Sequence, residues 1–295
     1  MRDIIGKRLQ SDSLKLPTLP EVAVRCLELA HDPDVTFSAL AQVIERDPFI
    51  ASRVVRMSNS PLYGGLARIT TIDGAVGRMG ISTLVALLQE LAAEQVFTSR
   101  DPIIRNAFRG IWEHCLGVAH LSRDLAALIG HLSPNTAYLA GLFHDIGKPV
   151  VAALLLEAER GAGQGAFLHS GVWRRVVDEC HRDVGAIIAF RWYLPREVAT
   201  AVAEIAYYDL KRGRSSASNV VRLANAICQR EGLDVQAVSA RELDRVVLQG
   251  TQVLRLSQEQ VDLATTGLVA RVQALTTERG EEGSTRVFDR MSASG

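Results

Sequence analysis

Cysteine is scarce in this chain of 295 residues: Cys26, Cys115, Cys180 and Cys228 stand far apart and form no C-x-x-C pair. That spacing argues against a zinc ribbon or a disulfide framework and fits a reducing compartment, so the expected location is cytoplasmic. Long hydrophobic runs are missing too. The longest, Pro149 to Leu156, is too short to span a bilayer, and the segment from Met1 to Lys7 lacks the apolar core of a signal peptide, so no membrane association is expected. Net charge is absent: 33 Lys and Arg balance 33 Asp and Glu, leaving no global field to draw the chain to nucleic acid or anionic lipid. Strand-type alternation, internal repeats and long low-complexity segments are also lacking.

What remains is ordinary globular material, 47% hydrophobic and 22% charged, long enough to bury a substantial core. Its periodicity is helical almost everywhere. In Glu21 to Ala30, Val22, Cys26 and Leu29 share one face. Thr36 precedes a helix from Phe37 to Glu45, and Asp47-Pro48 opens one from Phe49 to Asn59. Asn59-Ser-Pro61 through Gly65 is a breaker cluster. Thr71 caps a short helix ending near Gly80, and Ser82 is expected to cap a longer one through Val96. The best boundary is Ser99-Arg100-Asp101-Pro102, followed by a long helix to about Ile129 and another from Pro134 that delivers His144-Asp145. Gly161 to Gly165 reads as a flexible loop. Helices are then expected at Val172–Arg191, Pro195–Asp209 and Ala217–Arg230, with amphipathic character from Ser239 to Thr277. The fold class is all-α.

The chemistry concentrates in Gly141-Leu-Phe-His144-Asp145-Ile-Gly-Lys148, read with His114 upstream and Asn225 downstream. Imidazole and carboxylate together suit a divalent ion such as iron, manganese or zinc, and an open site of that kind can activate water for phosphoester hydrolysis. The competing reading of His114, His144 and Asp145 is a buried polar cluster in which the carboxylate satisfies imidazole. Lys148 is expected as a solvated helix-end lysine. Lys211-Arg212-Gly-Arg214 is the best anion contact on offer, although such clusters are usually solvated turns. Trp112, Trp173 and Trp192 are expected in the core. The helix pair around Gly80 invites a helix-turn-helix reading, but Ala75 to Gly80 spans five residues rather than four. The second helix also carries Glu90 and Glu94 with no Lys or Arg, so it is a poor candidate for approaching phosphates.

The order of motifs carries a resemblance. Leu16-Pro-Thr-Leu-Pro20, Ile44-Glu-Arg-Asp47-Pro48, Val54-Val-Arg-Met-Ser-Asn59-Ser60, Thr70-Thr-Ile-Asp-Gly-Ala-Val76 and Leu84 succeed one another. Leu139 to Lys148, His181 with Gly185, and Trp192 with Leu194-Pro195 follow. This succession, over about Leu14 to Arg230, resembles the HDOD family, a branch of the HD superfamily found in bacterial signalling proteins. The resemblance implies a two-lobed helical domain with an HD-like bundle in the second lobe. Active HD hydrolases of that superfamily complete the metal shell with a late Asp in a Leu-Ala-Asp context; here the segment reads Leu223-Ala224-Asn225. The related HD-GYP phosphodiesterases place a histidine pair where this chain has Tyr207-Tyr208.

The expected organisation is an N-terminal helical lobe over 1–100, an HD-like bundle over 101–232, a helical extension over 233–277 and a disordered tail over 278–295. The expected function is a non-catalytic regulatory module acting on signalling protein partners. The alternative is a metal-dependent phosphohydrolase with an incomplete metal shell, in which Asp209 or another carboxylate fills the vacancy. No catalytic residue and no cofactor is expected, with a residual divalent iron, manganese or zinc at His114, His144 and Asp145 left open. A cyclic nucleotide is an admissible ligand and nucleic acid is not expected. No receiver, kinase or cyclase segment is recognised, so the input is expected from a separate molecule.

Overall fold

A computed structural model describes residues 17–60, 63, 67–98, 102–162, 172–233 and 238–276. The boundary at Ser99 to Asp101, most of the Gly161–Gly165 loop and the tail from 278 lie outside them. Among the described residues there is no strand. The first lobe holds α1 (Glu21–Ala30), α2 (Phe37–Ile44), α3 (Pro48–Ser58), α4 (Ile72–Met79) and α5 (Ile81–Val96). The second begins with α6 (Pro102–Ile129), α7 (Pro134–Phe143), α8 (Gly147–Ala162) and α9 (Val172–Arg191). It continues with α10 (Arg196–Glu204), α11 (Ala217–Arg230), α12 (Ala240–Leu254) and α13 (Gln258–Thr265), and residues 268–276 are again helical.

Local chemistry sets most helix starts. The hydroxyls of Thr36 and Thr71 and the carboxylate of Asp47 accept from main-chain amides in the first turns of α2, α4 and α3. Ser133, Ser216 and Ser239 do the same for α7, α11 and α12. Ser82 does not cap α5. Gly80, at φ 79°, ends α4 and starts α5 in one residue, turning the chain by 108° and leaving no room for a side-chain cap. Ser82 instead accepts from Asn135 Nδ2 at 3.4 Å. The helix expected over Pro195–Asp209 also ends early, at Glu204. Arg222 takes the Ile205 carbonyl at 3.0 Å, and Asn219 pairs with the main chain of Asp209, so these groups are satisfied without another helical turn.

Helix α8 was not anticipated as a separate element. It follows α7 after the turn at residues 144–146, and together Pro134–Glu159 is long and apolar enough to cross a bilayer. The earlier limit of Pro149 to Leu156 was therefore too short. The stretch is interior: 83% of its most apolar part is buried inside the protein. Helix α7 packs along α6, α8 along α9, and α11 against both α6 and α12. Trp112, Trp173 and Trp192 are all buried. The Trp192 Nε1–H donates to the Pro17 carbonyl at 2.9 Å, tying the start of the described chain to the second lobe.

The lobes also meet where α5 packs on α7. Glu90 is buried there and accepts from the Tyr138 hydroxyl at 2.6 Å. Glu94 pairs with Arg53 at 2.8 Å. Buried along most of its length, α5 is a core helix with little face to offer a DNA groove. The His120 ring stands edge-on to Tyr138, with centroids 5.3 Å apart, and Arg123 lies over the other ring. Burial, then Arg123, push the His120 imidazole down to about 4, against the pull of Glu90 and Asp124.

An unfolded imidazole titrates near ~6.5. Between that value and about 4 the unfolded chain binds the extra proton. Stability from this residue is therefore complete above the unfolded value and is lost as pH falls, by about 3 kcal/mol in all. Urea midpoints measured across that window should fall less steeply in His120→Gln than in the native chain.

Candidate metal centre

The segment from Gly141 to Lys148 lies between α6 and α9, and its backbone is pressed hard against the latter. A Cβ on Gly147 would overlap the His181 carbonyl oxygen. That contact needs glycine, and it sets the distance between the His144-Asp145 turn and His181. Five elements then converge: α6 brings His114, the turn after α7 brings His144 and Asp145, α8 brings Lys148, α9 brings His181 and α11 brings Asn225.

Asp145 is the centre. Its Oδ2 lies 2.6 Å from Lys148 Nζ and 3.3 Å from His144 Nε2, and its Oδ1 lies 3.4 Å from His181 Nε2. Burial alone would raise this carboxyl, but His144 and Lys148 hold it well below the usual carboxylate range. Burial would likewise lower Lys148, and Asp145 outweighs it, raising the amine above its ordinary value. The result is a buried anion matched by one buried cation. Lys148 is thus no solvated lysine, since its side chain is 13% exposed. The one signal for this in the sequence was its three-residue spacing from Asp145.

The imidazoles are oriented by main chain. Nδ1 of His114 faces the Leu233 carbonyl at 2.5 Å, that of His144 faces Gly141 at 2.7 Å, and that of His181 faces Val177 at 3.1 Å. A carbonyl only accepts, so each ring donates from Nδ1 and, when neutral, keeps its lone pair on Nε2. This is how ligating histidines are commonly held. One ligand atom each from His114, His144 and Asp145 lie within 4.8 Å of one another, so the three residues named from the sequence do come together. The His144 Nε2 approach to Asp145 lacks hydrogen-bond alignment, leaving that buried nitrogen without a directed partner.

Asn225 occupies the remaining corner, its Oδ1 placed 2.8 Å from His114 Nε2. Burial, then His144, push the His114 imidazole down, favouring the neutral ring. A neutral ring donating to Leu233 presents only a lone pair to Asn225. The satisfied form therefore has the amide turned end for end, with its NH2 donating to Nε2.

The other sequence candidates fall elsewhere. Asp209 is half-buried and engaged by Arg212, so it fills no vacancy in the cluster. The Tyr208 hydroxyl donates to Val246 at 2.9 Å, and Tyr207 is 83% exposed. Within the suggested anion cluster, Arg212 pairs with Asp209 and Glu204, and Arg214 donates to the Ile129 carbonyl. His181 was read as a family landmark; nothing in its local sequence shows its approach to Asp145.

The HDOD domain profile matches residues 16–207. The chain belongs to the HDOD family. It is 24% identical over 192 residues to an uncharacterized protein of Treponema pallidum (strain Nichols), covering 63% of this chain and 37% of that one. The HDOD chain thus spans little more than a third of this curated relative. A solved structure from Shewanella amazonensis SB2B, provisionally named a metal-dependent phosphohydrolase, shares the fold with TM-score 0.75 and 24% identity over 92% of this chain and 96% of that chain. Another, from Marinobacter aquaeolei VT8 and provisionally named a signal transduction protein, gives TM-score 0.63 and 22% identity over 92% and 60%.

Gly147→Ala should destabilise this HDOD protein by about 3 kcal/mol or more, because two main chains must separate; urea unfolding reads this directly. Lys148→Met should cost about 3–5 kcal/mol by leaving the Asp145 charge buried and unpaired. Adding Asp145→Asn to Lys148→Met should recover part of that loss, measured by the same unfolding curves.

Proposed function

We propose that this HDOD protein is a non-catalytic signal-transduction module that acts by binding a partner protein, with the His–Asp cluster serving as the structural centre of its second lobe. The observation that carries this reading is the 2.8 Å contact between Asn225 and His114 Nε2. Where a hydrolytic ion requires a carboxylate, the chain supplies a neutral amide, and that amide engages the lone pair the ion would need. The Asp145 carboxylate is likewise engaged by Lys148. The donor set therefore does not fit a hydrolytic metal centre, and no chemical step is assigned to one. The provisional name of the Marinobacter protein agrees with a signalling role. A cyclic nucleotide is a secondary candidate as a regulatory ligand.

The rival reading is an HD-type metal-dependent phosphohydrolase with an incomplete shell. It draws on the unpartnered His144 Nε2 and on the provisional name of the Shewanella protein.

Elemental mass spectrometry of the purified protein separates the two. The account expects iron, manganese and zinc far below one equivalent, and metal affinity at least ~10-fold higher in Asn225→Asp. Near-stoichiometric metal that disappears in His144→Ala, together with His144-dependent cleavage of phosphoesters such as cyclic dinucleotides, would establish the hydrolase instead.

A further inference from the structure

The family profile stops at residue 207, yet both ring nitrogens of His114 are held by chain beyond it. Helix α11 supplies Asn225 at Nε2, and Leu233, just past its end, supplies the carbonyl at Nδ1. The helix end is shaped for this contact. Gly232 takes φ 82°, the left-handed conformation that reverses a chain at a helix C-terminus. The Leu233 amide then reaches back to the Cys228 carbonyl at 2.9 Å, and its own carbonyl is left to face His114.

The last described helix, residues 268–276, settles against the same stretch of α6. His114, Gly117 and Asp124 share one side of α6 at helical spacing. Gly117 is the narrow point. A Cβ there would stand 2.9 Å from Leu233 Cδ1, 3.4 Å from Cys228 Sγ and 3.6 Å from Val272 Cγ2. Leu268 and Val272 are buried. Arg271 pairs with Asp124 at 2.8 Å and donates to the Ala264 carbonyl at 3.0 Å. Leu233 and Val272 thus crowd the same glycine, one belonging to the turn that orients His114 and the other to the C-terminal extension.

We propose that the seating of residues 268–276 on α6 is coupled to the His114 hydrogen bond through Leu233, so that the C-terminal extension and the His–Asp cluster respond to one another. With the helix seated, Leu233 stays pressed at Gly117 and its carbonyl fixes the ring proton on Nδ1. With the helix lifted, Leu233 gains room, the bond from Nδ1 lengthens, and the Asn225 contact across the ring loosens with it. Such a coupling is reciprocal, so losing the ring also loosens the helix. It goes beyond the reading of the cluster as a structural centre and does not depend on metal content, so either can fail alone.

The test uses the full chain, isotopically labelled, with main-chain amides and the His114 ring proton followed by hydrogen exchange in NMR spectra. Val272→Ala removes the methyl groups beside Gly117, and Arg271→Glu sets a second carboxylate against Asp124. In each variant the amides of residues 268–276 should exchange about tenfold or more faster, with those of α1 and α2 unchanged. The Nδ1 proton of His114 should exchange faster by a similar factor, and its resonance should move toward that of a weaker hydrogen bond. His114→Gln should in return quicken exchange in 268–276. A loosened helix beside an unmoved His114 proton, or a helix still protected in His114→Gln, would overturn the proposal. Protection retained in both Val272→Ala and Arg271→Glu would overturn it too, since these residues would not then hold the helix. Equal quickening through both lobes would do the same, because helix and ring would open only with the whole fold.

Discussion

A carboxylate taken out of water must be matched by a cation or by directed hydrogen bonds, because leaving it bare costs several kcal/mol. Asp145 is the buried carboxylate on which the second lobe turns, and the elements around it can be understood as its neutralisation. Lys148 is one turn along the same stretch of chain, so the charge pair forms from local sequence and needs no distant partner. His144 is the neighbouring residue, while His181 comes from farther away and brings α9 and the backbone approach at Gly147 into a fixed relation with the turn after α7. Asn225 then closes the group through His114. Each added contact constrains another helix, so one local charge pair grows into the packing centre of the lobe.

The same geometry underlies the proposed reading of the cluster as a structural centre. Three imidazoles are held by main-chain carbonyls with their Nε2 atoms turned inward, the orientation that a metal site uses. What differs is the fourth corner and the state of the carboxylate. An amide hydrogen-bonded to His114 and an ammonium on Asp145 provide by hydrogen bonding what an ion provides by coordination.

Much of the fold was legible because its signals are local. Apolar periodicity, hydroxyl and carboxylate caps and the breaker cluster after Asn59 are all read over a few residues, and they located α1 to α4, α7, α9 and α11 closely. The failures have both local and distant causes. Ser82 lost its capping role because Gly80 turns the chain in a single residue, and α10 ended early because Arg222 and Asn219 take up the main-chain groups beyond it. Helix α8 was obscured because the turn at residues 144–146 breaks one apolar run into two. At the site, His114, His144 and Asp145 were found from their order along the chain. Lys148 was misread because its burial depends on α9, and the approach of His181 to Asp145 has no local signature at all.

The most direct test of a cluster closed by hydrogen bonds is nitrogen NMR of its imidazole rings, recorded with and without excess zinc. The account predicts a neutral His114 protonated at Nδ1, its Nε2 accepting a hydrogen bond and unmoved by zinc. If stoichiometric zinc carries the Nε2 signals of His114 and His144 together to metal-bound positions, the lone pairs are available to an ion and the account of Asn225 is wrong.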